Sequence, residues 1–288
     1  MSMQNTLSKI DEFDVQVGEY SIRVHRAGEG NEETILFLHG SGPGATGMSN
    51  FSETIADLSD EFDCVVIDQV GFGESTHPTE AQASSVSRFE VLVETNLALL
   101  DVLGLERVHL VGNSLGGWVS QQMLIEKPER FGRAVCMGSA GMAPPGATPP
   151  PALLRLITFY DDATPIGMEK LVQAMLYDAD TFSDHLSAIV ESRLAVAVRP
   201  DVERNHVELF ADLRGRALDE DALRAIPNDV LYIHGREDPV VPLESSERLV
   251  RTVPNAYLYA IPHCGHWAQV EHAARFNAAT RGFLRGEL

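Results

Sequence analysis

The chain has 288 residues, of which 44% are hydrophobic and 22% charged, with 42 acidic against 22 basic side chains and a net charge of −20. That length allows one large domain, or one domain with an insertion, and a core that needs no covalent staples. The acidic balance excludes nucleic acid and anionic membrane as partners, since both are held by a basic face, and it requires any anionic substrate to meet a local cation.

The first residues, MSMQNTLSKIDEFD, lack the apolar stretch of a signal peptide. Segments 14–17 and 20–25 alternate apolar and polar residues around Gly18, which predicts a β-hairpin. Residues 34–39 (TILFLH) then form a continuous apolar run that ends at Gly40. Similar runs recur at 64–68, 108–111, 134–137, 230–233 and 256–261. Short, fully apolar strands of this kind fit the buried interior of a parallel sheet. Helical spacing at 88–103, 117–126 and 244–250 separates them, so the pattern predicts right-handed βαβ units with helices on both faces.

The rhythm breaks between Met142 and Leu213. This stretch opens with a proline-rich segment, 143–151, read as a semi-rigid connector, and continues as a helical, strand-poor pattern. The expected organisation is one core domain from residues 1–141 and 214–288, with residues 142–213 inserted as a helical cap. No run approaches the roughly 18 apolar residues that a membrane span needs. Cys64, Cys136 and Cys264 sit in apolar or strand-like contexts without C-x-x-C spacing. Neither a disulfide framework nor a zinc site is expected, and a reducing cytoplasm is the default location.

The strongest local signal is Gly112-Asn113-Ser114-Leu115-Gly116, between a strand and a helix. In that context Gly-x-Ser-x-Gly places a serine on a strained turn with its hydroxyl exposed, and the helix N-terminus favours an anion above it. Serine is a poor nucleophile alone and needs a base. With the chain order serine, acid, histidine, the base is His266 and the residue that orients it Asp238, each just past a strand end where ligands bind in open α/β sheets. His263 and Glu237 are the nearest rivals; His39 and His234, each at a strand end before glycine, read as structural. An oxyanion hole needs converging N–H groups. Leu115 supplies one, and Ser41, in the glycine-rich loop His39-Gly40-Ser41-Gly42-Pro43-Gly44, is the expected second donor.

Together, HGSGPGATG (39–47), Ser49-Asn50-Phe51, GNSLGG (112–117), GREDPVVP (235–242) and CGHWAQVEHA (264–273) resemble the meta-cleavage-product hydrolases, over roughly residues 14–284. The sequence carries no nucleotide loop or metal cluster, so no cofactor or metal is expected. The resemblance implies an α/β-hydrolase fold with a mostly parallel eight-stranded sheet, and a homo-oligomer, dimer or larger. It implies cleavage of a C–C bond in 2-hydroxy-6-oxo-hexa-2,4-dienoates, giving 2-hydroxypenta-2,4-dienoate and a carboxylic acid. By position, Arg193 matches the family's carboxylate-binding arginine, and Gly42, Asn50, Asn113 and Trp267 its other dienoate contacts. The cap also carries Arg155 and Arg199. An arginine fork would meet the need for a local cation. Pro239-Val240 stands where many relatives have an arginine and an aromatic, which alters the wall facing the C6 substituent. A carboxylesterase or lactonase with the same triad is the main alternative, and a non-catalytic small-molecule receptor on the same scaffold a second.

Overall fold

The computed structural model describes residues 10–79 and 87–287. Eight strands form one sheet: β1 (Asp11–Val17), β2 (Tyr20–Ala27), β3 (Thr34–Leu38), β4 (Asp63–Ile67), β5 (Val108–Asn113), β6 (Phe131–Met137), β7 (Val230–Gly235) and β8 (Ala256–Ile261). Their spatial order is β1-β2-β4-β3-β5-β6-β7-β8. The β1–β2 and β2–β4 pairs are antiparallel and every other pair is parallel.

The continuous apolar runs at β3 to β7 become strands because both faces of the sheet are covered there, whereas β8, expected to be equally buried, lies at the sheet edge and exposes Tyr257 and Tyr259. In β3, Leu36 and Leu38 join one core cluster while Ile35 and Phe37 join the other, since successive side chains point to opposite faces. The first cluster is closed by α2 (Arg88–Val102) and α3 (Leu115–Glu126), through residues such as Leu99 and Met123. The second is closed by α1 (Gly47–Leu58) and, near the C-terminus, by Phe276 and Phe283.

Between β6 and β7 the chain forms α4 (Pro151–Ile157), α5 (Pro165–Gln173), α6 (Ser183–Ala197) and α7 (Pro200–Leu213), followed by the short α8 (Glu220–Arg224). Three of these helices begin on a proline, which fits the first helical position because its missing N–H would be unpaired there. The inserted helices bury an apolar cluster of their own, around Leu156, Met168, Leu171 and Met175, which reaches Val240 and Val241 after β7. They are also pinned to the core by Asn205 Nδ2, which donates to the Gly71 carbonyl (2.8 Å), and by the Arg88–Glu208 ion pair.

After β7 come α9 (Leu243–Thr252), then, past β8, α10 (Ala268–Glu271) and α11 (Ala273–Leu284). Helices α1 and α11 lie outside the expected pattern. The start of α1 is a capping box in which Thr46 and Ser49 bond reciprocally, with serine where Glu or Gln is the usual signal. No side chain caps α11. No helix among the described residues is long and apolar enough to cross a membrane.

His206 of α7 is buried against Tyr160 and Phe210, and burial pulls its pKa from 6.5 to about 4. Between those values the unfolded chain holds a proton that the native chain lacks, so stability is full above the upper value and falls as pH drops. The loss reaches about 2 kcal/mol at pH 5. The thermal midpoint is expected to fall between pH 7 and pH 5, and to fall less in His206→Gln. Equal pH dependence in the two proteins would remove His206 as the cause.

Candidate active site

The strand order reverses at β3: the chain leaves it for β4 on one side and returns to β5 on the other. At such a switch point the loops after the two strands diverge and leave a crevice at their C-terminal ends. The loop from His39 to Gly44 leaves β3 on one side of this crevice, and Ser114 stands on the other, between β5 and α3.

Ser114 has φ 53° and ψ −111°, a left-handed turn that places it outside both the strand and the helix. The turn is possible because Gly112 and Gly116, two positions before and after it, lack side chains. A Cβ on Gly116 would lie 1.9 Å from the Leu38 carbonyl oxygen, and one on Gly112 would lie 2.4 Å from the Gly116 carbonyl oxygen. The Ser114 N–H donates to the Met137 carbonyl (2.9 Å), which ties the elbow to β6. Leu115 opens α3, where a backbone N–H has no carbonyl of its own helix to meet.

His266 reaches the same crevice from the loop after β8. Its Nδ1–H donates to Asp238 Oδ2 (2.8 Å), which directs the Nε2 lone pair away from Asp238. Its backbone N–H donates to the Met175 carbonyl (2.7 Å), so the imidazole is set by the inserted helices as well as by the core. Glu271 braces the same loop, accepting from the Gly265 and Tyr177 N–H groups (2.8 and 2.7 Å). Among the described residues no hydrogen bond joins Ser114 to His266, although both line one cavity. Such bonds commonly tighten only when substrate is bound.

The Asp238 carboxylate is fully buried and fully paired. Oδ1 accepts from the Val240 and Val241 N–H groups (2.8 and 3.0 Å), while Oδ2 faces His266 and, at 3.3 Å, His234 Nε2. Burial alone would raise its pKa; the charge of His266 and the hydrogen bonds from both imidazoles outweigh it and hold the carboxyl well below the usual range. His234 also donates from Nε2 to the Val241 carbonyl (2.8 Å) and accepts at Nδ1 from Ser246 (2.7 Å). His39 is structural: its Nδ1–H donates to the Gly40 carbonyl (2.7 Å) and its Nε2 accepts from the Gln69 N–H (3.0 Å). Glu237 accepts from the Cys264 N–H, and His263 is exposed beside Tyr177.

Eight of the ten expected site residues line the cavity: Ser41, Gly42, Asn50, Asn113, Ser114, Arg193, His266 and Trp267. Asp238 stands behind His266, and the Leu115 side chain is packed in the core. Arg193, on α6, is 5% exposed, and its guanidinium lies 5.1 Å from the Trp267 ring centre. Among the described residues no carboxylate pairs with it. Burial pulls its pKa down to about 10, which leaves it charged at neutral pH. Arg199, by contrast, is bound to Asp201 and Glu74.

The sequence model of the α/β hydrolase fold family matches residues 33–273. The 2-hydroxymuconate semialdehyde hydrolase of Pseudomonas sp. (strain CF600) is 34% identical over 268 residues, which cover 91% of this chain and 90% of that protein. The 2-hydroxy-6-oxononadienedioate/2-hydroxy-6-oxononatrienedioate hydrolase of Paraburkholderia phymatum is 35% identical over 94% of each chain. The solved structure of the 2-hydroxy-6-oxo-6-phenylhexa-2,4-dienoate hydrolase from Rhodococcus sp. strain RHA1 superposes with a TM-score of 0.89 at 35% identity, covering 96% of this chain and 99% of that one.

The chain belongs to the meta-cleavage-product hydrolases of the α/β-hydrolase fold family. In this hydrolase the cavity wall is completed by Gly40 and Ala45 of the loop after β3 and by Leu156, Leu171, Val172 and Met175, and these last four were not expected from the sequence. Apolar residues carry no chemical signature. The one available signal was the spacing of Met168, Leu171, Val172 and Met175, which defines one face of a helix.

Proposed function

We propose that this hydrolase cleaves the C–C bond of 2-hydroxy-6-oxo-hexa-2,4-dienoates formed by aromatic ring fission, releasing 2-hydroxypenta-2,4-dienoate and a carboxylic acid. The observation that carries this reading is Arg193: a buried guanidinium, unpaired among the described residues, in the wall of the cavity that holds Ser114. An uncompensated buried charge is costly, and a ligand carboxylate relieves that cost.

In this reading Arg193 holds the substrate carboxylate, and Gly42, Asn50, Asn113 and Trp267 shape the dienoate site around it. The dienol tautomerises to the keto form, so that the departing carbon leaves as a dienolate beside the Arg193 charge. His266 takes the Ser114 proton as the serine, or a water that it activates, adds to the C6 carbonyl. The N–H groups of Leu115 and Ser41 hold the resulting oxyanion, and Asp238 keeps the His266 tautomer. Residues 142–213 act as the cap, since they supply Arg193 and the aliphatic wall. A cytoplasmic location suits the buried free thiols of Cys64, Cys136 and Cys264, which stay reduced there.

The relatives' names differ in the group at C6, and the cavity chooses among them. Arg193 packs against Gly42, Gly44 and Trp267, whereas Leu156, Leu171, Val172 and Met175 belong to the cluster that continues to Val240 and Val241 beside Asp238. A tail carboxylate buried against those four aliphatic side chains would meet no cation among them, a cost of several kcal/mol. In a turnover panel read by loss of the yellow absorbance, substrates with hydrogen, alkyl or phenyl at C6 should be cleaved. The nine-carbon diacid should show kcat/KM at least about 100-fold lower. Equal turnover of the diacid would reject the aliphatic wall as the C6 site, and no turnover of any dienoate would reject the function.

A further inference from the structure

The cavity around Ser114 has a volume of about 20 Å³, room for a single water. A dienoate therefore enters only when some wall gives way. Beside the cavity lies an open groove of about 490 Å³ between α1, α6 and α10, and the two share Asn50, Arg193 and Trp267. These three side chains are the partition between solvent and the site. Another groove, beside Pro150 and Arg155, reaches Asp238 but touches neither Ser114 nor Arg193.

Two features of the first groove point to a ligand. Arg193 forms part of both its wall and the cavity wall, so a carboxylate can approach the guanidinium from the solvent side before it reaches the serine. Gln269, 2% exposed, also lines the groove, and its Oε1 is a buried acceptor without a hydrogen-bond partner among the described residues. A 2-hydroxydienoate carries a carboxylate with a hydroxyl on the adjacent carbon, which supplies an anion for Arg193 and a donor for Gln269. Buried acceptors left unmatched are uncommon, so a donor that reaches Gln269 when the partition opens would satisfy a group the fold itself leaves unmatched among the described residues.

We propose that this groove is the passage through which the carboxylate end of the substrate enters and the released 2-hydroxypentadienoate leaves, with Arg193 handing the carboxylate across the partition. The proposal rests on Arg193 as the carboxylate site. It gives the two products separate positions, because the dienoate half lies at the groove end while the acyl half remains at Ser114. A net charge of −20 repels an anion over most of the surface, which favours a route that meets a cation early.

The test uses Ser114→Ala protein, expected to bind substrate without turning it over, and stopped-flow measurement of dienoate binding. Ala188, exposed on α6, and Ser52 of α1 face the groove from opposite walls. Adding Ala188→Trp should lower the association and dissociation rate constants together, each by at least about tenfold, with Kd within about twofold, because an obstructed path changes rates and not the equilibrium. Ser52→Trp should do the same from the other wall and stands in if Ala188→Trp does not fold. Glu244→Trp, in the groove beside Pro150, should leave both rates unchanged. Unchanged rates in both groove variants, a changed Kd without slower association, or slowing by Glu244→Trp alone would each overturn the passage. Ser114→Ala protein that binds no dienoate would overturn the functional reading and the passage with it.

Discussion

Ser114→Ala is expected to lower steady dienoate turnover by at least about 1,000-fold while substrate still binds, because the change removes only the reacting oxygen. The variant should fold normally. The strain at φ 53° is imposed by the close packing of Gly112 and Gly116 and is not relieved by a smaller side chain. A stopped-flow trace should show the dienoate spectrum shift on mixing and then persist. Turnover within about tenfold of the parent would dismiss Ser114 as the nucleophile or as the group that activates water.

Arg193→Met is expected to lower kcat/KM for a dienoate by about 100- to 1,000-fold, the consequence of removing one partner of a buried charge pair worth 3–5 kcal/mol. Hydrolysis of a neutral aryl acetate should change by less than about fivefold, since that substrate offers no anion to the guanidinium. Methionine fills similar space, so the fold is retained. The thermal midpoint should hold or rise, because the parent buries a cation without a counter-ion among the described residues. Equal losses on the two substrates would mean that Arg193 shapes the cavity and does not read the carboxylate, and the plain esterase reading would gain ground.

Much of this architecture was legible in the chain. The apolar runs at β3 to β7 announced a sheet covered on both faces, the run at β8 became an edge strand with Tyr257 and Tyr259 exposed, and the Gly112–Gly116 spacing located the turn before α3. The long-range convergence of Ser114, Asp238 and His266 could be anticipated only from their order and from each lying just past a strand end. What stayed hidden depended on packing. His234 looked structural from its place before a glycine; the fold puts its Nε2 at 3.3 Å from the Asp238 carboxylate while its other contacts hold the loop. The aliphatic cavity wall and the tie from His266 to Met175 come from the inserted helices, and no local pattern announces where a helix will dock. Helix α1 escaped notice because its capping box uses serine in the reciprocal position.

The wedge of Gly116 beneath the Leu38 carbonyl has a further effect on how this scaffold diversifies. The backbone under the reacting residue has no slack, since even a methyl group there would overlap the neighbouring strand. New chemistry at this spot must therefore come from exchanging the one side chain on the turn or from redecorating the surrounding loops and helices. The platform itself stays constant, as a fixed socket into which different reactive groups are fitted.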